Sequence, residues 1–133
     1  MPDNLFPKNL FIDTSGFFAF LNKSDADHEE AKKRFAASAN KMTSNYVFDE
    51  LMTLLTARGQ KDLSISFGEQ LRGGSLVACH FLSASEEEKA WGIYQKFRDH
   101  PLSFTDCTTL LLLREHQSSR LLSFDATLLK LVK

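Results

Sequence analysis

The feature that most constrains the fold is the alternation of short apolar runs with longer segments of helical periodicity. The short runs span 9–12, 41–43, 76–81 and 121–124. Between them, apolar residues recur three or four positions apart, as in helices that bury one face. Strands alternating with helices are typical of βα units. The sequence therefore predicts an α/β fold with a central, mainly parallel β-sheet flanked by helices.

Local signals place the ends of several helices. Asp27 followed by Glu30 has the spacing of a capping box, in which the two side chains satisfy free backbone N–H groups at a helix start. Gly59 is expected to end the third helix, and the Gly73–Gly74 pair is expected to form a turn. The predicted helices span 15–21, 27–39, 45–58, 61–72, 85–99, 105–116 and 126–132.

The composition is that of a packed globular domain. Of the 133 residues, 43% are hydrophobic and 11% aromatic, with only 6 Gly and 3 Pro. A disordered or low-complexity chain would have fewer apolar and more Gly and Pro residues. Two cysteines, Cys79 and Cys107, are too few for a disulfide framework. We expect a single domain over residues 1–133.

The sequence shows no sign of membrane insertion or export. No apolar run approaches the roughly 18 residues that span a bilayer. The N-terminal stretch MPDNLFPKNLFID contains Asp3 and Pro7 and lacks the basic start and apolar stretch of a signal peptide. The expected location is cytoplasmic.

Three acidic residues stand where an apolar segment meets the following helix. Asp13 follows the run LFI, Asp106 follows PLSFT, and Asp125 follows LLSF. In a parallel sheet the carboxyl ends of the strands share one edge, and ligands bind there. Each acid also has a purely structural interpretation, because Asp is a good N-cap and Ser103 with Asp106 has capping-box spacing. These interpretations account for the residues one at a time, but not for their convergence.

Glu50 is unusual because it lies within an apolar helix, YVFDELMTLL. Its position relative to Val47 places the carboxylate on or beside the buried face, whereas Asp49 points about 100° away, toward solvent. An ionised carboxylate on an apolar face is costly unless it is paired or coordinated. A pairing with Arg58 or Lys61 remains an alternative to a role in a functional site.

Four carboxylates without His or Cys in their motifs suit a hard cation, Mg²⁺ or Mn²⁺, which takes oxygen ligands. The matching reaction is metal-assisted phosphodiester hydrolysis by an activated water. Hydroxyl side chains flank the acids and are candidates for orienting water or phosphate, although many such residues are ordinary helix caps. They are Thr14, Ser15, Ser103, Thr105 and Ser123.

Four segments together resemble a PIN domain, in particular the toxin ribonucleases of the VapC type. They are FIDTSGFFAFLNKSDADHEEA, TSNYVFDELMTLL, PLSFTDCTTLLL and LLSFDATLL, and they occur in the family's order over nearly the whole chain. The resemblance implies a sandwich with a central parallel sheet and an endoribonuclease centre that uses Mg²⁺ or Mn²⁺. It places the family's four acids on Asp13, Glu50, Asp106 and Asp125, and its supporting polar positions on Thr14, Ser15, Ser103 and Thr105.

The VapC-type resemblance further implies an RNA substrate, a homodimer and a small antitoxin protein that silences the enzyme. Two other readings stay open at this point. One is a catalytically idle PIN-like module that binds a protein or RNA partner. The other is a phosphatase with D-x-D after its first strand, which is weakened because Ser15 stands where the second Asp would be.

The charge balance bears on how RNA would be held. The formal net charge is −1, which argues against a broad cationic surface for tight nucleic-acid binding. Without the four candidate ligands, however, 13 acidic residues stand against 16 basic ones. A mildly basic surface around an acidic centre suits transient phosphate contacts.

Overall fold

A computed structural model of the protein describes residues 9–116 and 120–132. Asp3 and Pro7, on which the expectation of no signal peptide rested, lie outside these residues. Within them the chain alternates between strands and helices, as the sequence predicts. The strands are β1 (Leu10–Ile12), β2 (Lys41–Ser44), β3 (Ala78–His80) and β4 (Arg120–Leu122). The helices are α1 (Thr14–Leu21), α2 (His28–Ala37), α3 (Asn45–Ala57), α4 (Lys61–Gly73), α5 (Ala84–Lys96), α6 (Phe104–Glu115) and α7 (Ala126–Leu131).

The four strands form one parallel sheet in the order β3-β2-β1-β4, which confirms the predicted fold class. Ile12 and Leu122, the last residues of β1 and β4, are partners in the register. The residues that follow these two strands therefore leave the sheet at the same edge. This register places the first and last acidic motifs side by side.

The strands at the centre of the sheet are buried on both faces by flanking helices. Phe11 and Ile12 of β1 have no exposed surface, and neither do Val47, Leu51 and Leu55. The last three residues lie four positions apart on α3, so they form one buried stripe along that helix. This stripe fixes the rotation of α3 about its axis.

Two glycines at helix ends have the backbone conformation that favours glycine. Gly59 has φ 74° and Gly74 has φ 77°. Both lie where the sequence predicts the end of a helix, because residues with a Cβ rarely adopt positive φ.

The predicted capping box at Asp27 and Glu30 is wrong. Asp27 is the N-cap of α2, but its φ and ψ are −98° and 9°, and its side chain makes no capping hydrogen bond. The N-cap of a capping box requires an extended backbone. A capping box occurs instead at Ser83 and Glu86, at the start of α5.

Two further differences concern the third strand and the fifth helix. β3 is shorter than predicted, since only Ala78–His80 pairs with β2. α5 ends at Lys96, before the predicted end at residue 99, and its Trp91 and Tyr94 side chains are 47% and 40% exposed. None of the helices in the described part of the chain is long and apolar enough to cross a membrane.

Candidate active site

Asp13 lies at the junction between β1 and α1 and is almost completely buried, with 5% of its surface exposed. It is the N-cap of α1, since its Oδ1 accepts a hydrogen bond from the Gly16 backbone N–H at 2.8 Å. Its own backbone N–H donates to Leu122 O at 3.3 Å. The carboxylate is thus held by the helix start and by the neighbouring strand β4.

Two serine hydroxyls fix the orientation of the Asp13 carboxylate. Ser15 Oγ donates to Asp13 Oδ1 at 2.9 Å, and Ser123 Oγ donates to Asp13 Oδ2 at 2.6 Å. Ser15 Oγ also accepts from the Phe124 N–H, and Ser123 Oγ accepts from the Asp125 N–H, at 2.9 and 3.1 Å. These bonds join the β1–α1 junction to the β4–α7 junction, so the first and fourth acidic motifs form one unit.

Glu50 reaches the same region from α3. Its side chain is half-buried. Its Oε1 accepts a hydrogen bond at 2.5 Å from Oγ1 of Thr14, the residue that follows Asp13. Asp49 is exposed. The prediction that Glu50 faces the buried side and Asp49 the solvent is confirmed.

Asp106 lies in the first turn of α6 and forms a capping box with Ser103. Asp106 Oδ2 accepts from the Ser103 N–H, and Ser103 Oγ accepts from the Asp106 N–H, both at 3.0 Å. The Thr105 backbone carbonyl accepts a hydrogen bond from Thr108 Oγ1 at 2.6 Å.

Asp125 is the N-cap of α7, where its Oδ1 accepts from the Leu128 N–H at 3.0 Å. The structural interpretation is therefore correct for Asp13, Asp106 and Asp125, since all three cap a helix. Capping uses one carboxylate oxygen of each residue, and it holds each acidic side chain at the start of its helix.

The four carboxylates lie close enough to affect one another electrostatically. Burial raises the pKa of Asp13 to about 6, against the opposing effect of its hydrogen bonds, and the charge of Asp106 raises it further. Burial likewise raises the pKa of Asp106, and the charges of Asp125 and Glu50 add to the rise. The structure thus brings all four acids into one cluster of like charges.

This cluster is not a closed coordination site. Within residues 9–116 and 120–132, no three His, Cys, Asp or Glu side chains are already placed to hold one metal ion. The donors are carboxylate and hydroxyl oxygens, which is the chemistry that a hard divalent cation requires. Because crowded carboxylates repel one another, a cation that entered the cluster would relieve this repulsion.

Gly16 is a structural requirement of the site that sequence reasoning missed. A Cβ at this position would lie 2.4 Å from Leu122 O and 3.1 Å from Ile12 Cγ2. α1 therefore approaches β4 so closely that only glycine fits. The available signal was the glycine three residues after Asp13, near the start of a helix, where glycine is otherwise unfavourable.

Comparison with known proteins identifies the family. The profile of the PIN domain matches residues 10–133, nearly the entire chain. This chain belongs to the PIN domain family. The four acids lie in the matched region, and the PIN fold brings them to the carboxyl edge of the sheet and the adjoining helices.

Two ribonucleases of Mycobacterium tuberculosis are similar in sequence. The 23S rRNA-specific endonuclease VapC20 is 31% identical over 117 residues, which cover 87% of this chain and 88% of that protein. Ribonuclease VapC26 is 28% identical over 119 residues, which cover 87% of this chain and 86% of that protein. The crystal structure of VapC20, described as a sarcin-ricin loop cleaving toxin, matches with a TM-score of 0.83 at 30% identity, over 91% of this chain and 93% of that one.

Proposed function

We propose that this PIN domain is a metal-dependent endoribonuclease and the toxin of a toxin–antitoxin pair. The observation that carries the proposal is the cluster of four acids at one edge of the sheet, in which Asp13 is buried and two serines orient its carboxylate. Burial raises the pKa of Asp13 to about 6, so keeping this carboxylate ionised beside the other acids lowers the stability of the fold near neutral pH. Helix capping alone does not require a buried carboxylate.

The proposed ligands of Mg²⁺ or Mn²⁺ are Asp13, Glu50, Asp106 and Asp125. A bound divalent ion supplies Lewis acidity, which favours attack of water on a phosphodiester and offsets the charge that develops on the phosphate. The chain's own groups hold the carboxylates in place. Thr14 positions Glu50, and Ser15 and Ser123 position Asp13. Ser103 restrains Asp106 through the capping box.

The proposed substrate is RNA, in keeping with the ribonuclease relatives VapC20 and VapC26. Ribosomal RNA is the first substrate to test, because VapC20 is named as specific for 23S rRNA. The assignment as a VapC-type toxin includes a homodimer, a small antitoxin partner and a cytoplasmic location as parts of the same proposal. Recovery of a small protein bound tightly to the native dimer would support the homodimer and the antitoxin partner.

The nuclease proposal predicts that Glu50→Gln lowers the cleavage rate by at least about 100-fold. The amide retains an oxygen that accepts the Thr14 hydrogen bond, so the fold is expected to persist while the charge is lost. The measurement is cleavage of purified ribosomal RNA in the presence of Mg²⁺ or Mn²⁺, with circular dichroism to verify folding.

Asp49→Asn is the matched control, because it removes the same charge from the adjacent, exposed position on α3. We expect this variant to cleave at the wild-type rate. Equal losses in the two variants would show that the charge of the helix, rather than a ligand at position 50, governs the activity, and would contradict the proposal.

A second candidate function is a PIN module that binds a protein or RNA partner without cleaving it. It is favoured by the finding that no three acidic side chains of the described residues are already placed around one ion. An idle module predicts no saturable binding of Mn²⁺ and no effect of Asp13→Asn on metal affinity. The nuclease proposal predicts the opposite for both.

A further inference from the structure

A group of aromatic side chains on the surface has no role in the core. Trp91 and Tyr94 of α5 are 47% and 40% exposed. Their rings stack on each other, with centroids 5.4 Å apart and planes 25° from parallel. Single exposed aromatic residues are ordinary, but a stacked pair presents a continuous flat apolar surface to solvent.

A cleft of about 410 Å³ adjoins this pair, and we call it the aromatic cleft. Besides Trp91 and Tyr94, its lining includes Gln95, Arg98 and His100. In the described ranges no carboxylate forms an ion pair with Arg98. The cleft thus combines aromatic faces with an amide, an imidazole and a guanidinium group.

The aromatic cleft connects to the acid cluster through two further rings. The Phe104 ring lies 6.3 Å from that of Trp91 and 6.0 Å from that of Tyr94, and the Tyr46 ring lies 5.5 Å from that of Phe104. Phe104 and Asp106 both belong to the first turn of α6, but side chains two residues apart leave a helix on different sides, so the connection to the acids runs through Tyr46. Tyr46 precedes Glu50 by four, and so lies on the same side of α3. A strand of RNA at the acids would therefore have the aromatic cleft beside it.

We propose that the aromatic cleft binds an unpaired base of the RNA substrate next to the cleavage site. The proposal rests on the nuclease function proposed above and specifies how its substrate is held. Unpaired bases stack on exposed aromatic rings, and guanidinium and amide groups hydrogen-bond to base edges or phosphates. The cleft offers these groups together, within reach of one nucleotide.

A second copy of the chain is the competing occupant of this surface, and the lining argues against it. The centre of a dimer interface is depleted of charge, because a charged group without a partner is costly to bury. Packing a second copy over the aromatic cleft would cover Arg98, Gln95 and His100 together. RNA instead supplies acceptors for all three.

Trp91 is the single tryptophan of the chain, so its fluorescence reports directly on the aromatic cleft. The binding test titrates the wild-type protein with the oligoribonucleotide A6 in EDTA, so that binding does not depend on cleavage. The matched probe is an abasic hexamer with the same number of phosphates. We expect saturable quenching by A6 and none by the abasic hexamer. Equal quenching by both, or none by either, would overturn the proposal.

The cleavage test compares Trp91→Leu with wild type on ribosomal RNA. Loss of one stacked base predicts a rise in KM of about 10-fold with kcat retained. Ile65→Ala is the control, because Ile65 is 52% exposed on α4, and it should leave KM unchanged. Normal cleavage with an unchanged KM in Trp91→Leu would overturn base binding and leave the nuclease proposal intact. If A6 quenches the fluorescence but the protein cleaves no RNA, base binding by the aromatic cleft is retained and the nuclease proposal is overturned.

Sedimentation of the same variants tests the competing occupant. If RNA occupies the aromatic cleft, Trp91→Leu and Tyr94→Leu should have the same oligomeric state as wild type. Conversion of a wild-type dimer to monomers by either substitution would assign the surface to a second copy of the chain and overturn the proposal.

Discussion

Asp13→Asn is expected to stabilise the metal-free protein near neutral pH while abolishing its cleavage of RNA. Asp13 is 5% exposed, and its burial raises its pKa to about 6 from 3.8. Keeping this group ionised in the folded state therefore costs up to about 3 kcal/mol. Asparagine retains an oxygen for the Gly16 N–H and caps helices almost as well as aspartate, so the variant avoids this cost.

The gain in stability of Asp13→Asn over wild type should increase with pH. Between pH 3.8 and 6 the folded protein holds more protons at Asp13 than the unfolded chain does, so wild-type stability falls as pH rises through this interval. Below it, the residue is protonated in both states and the cost vanishes. The free energy of unfolding of Asp13→Asn should therefore exceed that of wild type at pH 7.5 and equal it near pH 3.5.

Urea unfolding in EDTA at these two pH values measures the effect, with Asp49→Asn as the control for loss of an exposed charge. A variant less stable than wild type at pH 7.5 would contradict the view that Asp13 is retained for function at the expense of stability. So would a difference from wild type that is independent of pH.

Gly16→Ala is expected to cost at least about 3 kcal/mol of stability and to abolish activity with it. The added Cβ would meet Leu122 O at 2.4 Å, and this contact is with backbone of the central sheet, which cannot rotate away. To accommodate it, α1 must move from β4. That movement separates the hydroxyl of Ser123 from Asp13.

Gly92→Ala provides the matched control on α5, where a Cβ would have no neighbour within 4 Å. There the substitution should raise stability by up to about 1 kcal/mol, because alanine favours the helix interior. Thermal unfolding of both variants makes the comparison. Similar stabilities for Gly16→Ala and wild type would contradict the close approach of α1 to β4.

Much of this fold can be predicted from the sequence, because the apolar periodicity is strong. The four strands, the seven helices and the positions of Gly59 and Gly74 follow from local patterns, and the structure confirms them within a few residues. The capping box at Asp27 failed because residue spacing does not determine backbone conformation. At Ser83 the same spacing is accompanied by an extended backbone, and a capping box forms.

The candidate site is predictable in part. The positions of Asp13 and Asp125 after strands, and of Glu50 on the buried side of α3, follow from periodicity and from the shared edge of a parallel sheet. The same expectation is wrong for Asp106, because the segment before it forms no strand and leads directly into α6. The joining of Asp13 to Ser123 depends on the register of β1 with β4, which pairs residues 110 positions apart and has no local signature. The close approach at Gly16 depends on the same register, so it too was missed.

The central claim is that Asp13, Glu50, Asp106 and Asp125 together bind a divalent ion that RNA cleavage requires. Titration calorimetry with Mn²⁺ tests it most directly, with wild type compared to Asp106→Asn and to the control Asp49→Asn. The account predicts saturable binding by wild type and by Asp49→Asn, and an affinity at least about 10-fold weaker for Asp106→Asn. Equal Mn²⁺ affinity in all three proteins, or no binding by the wild type, would contradict it.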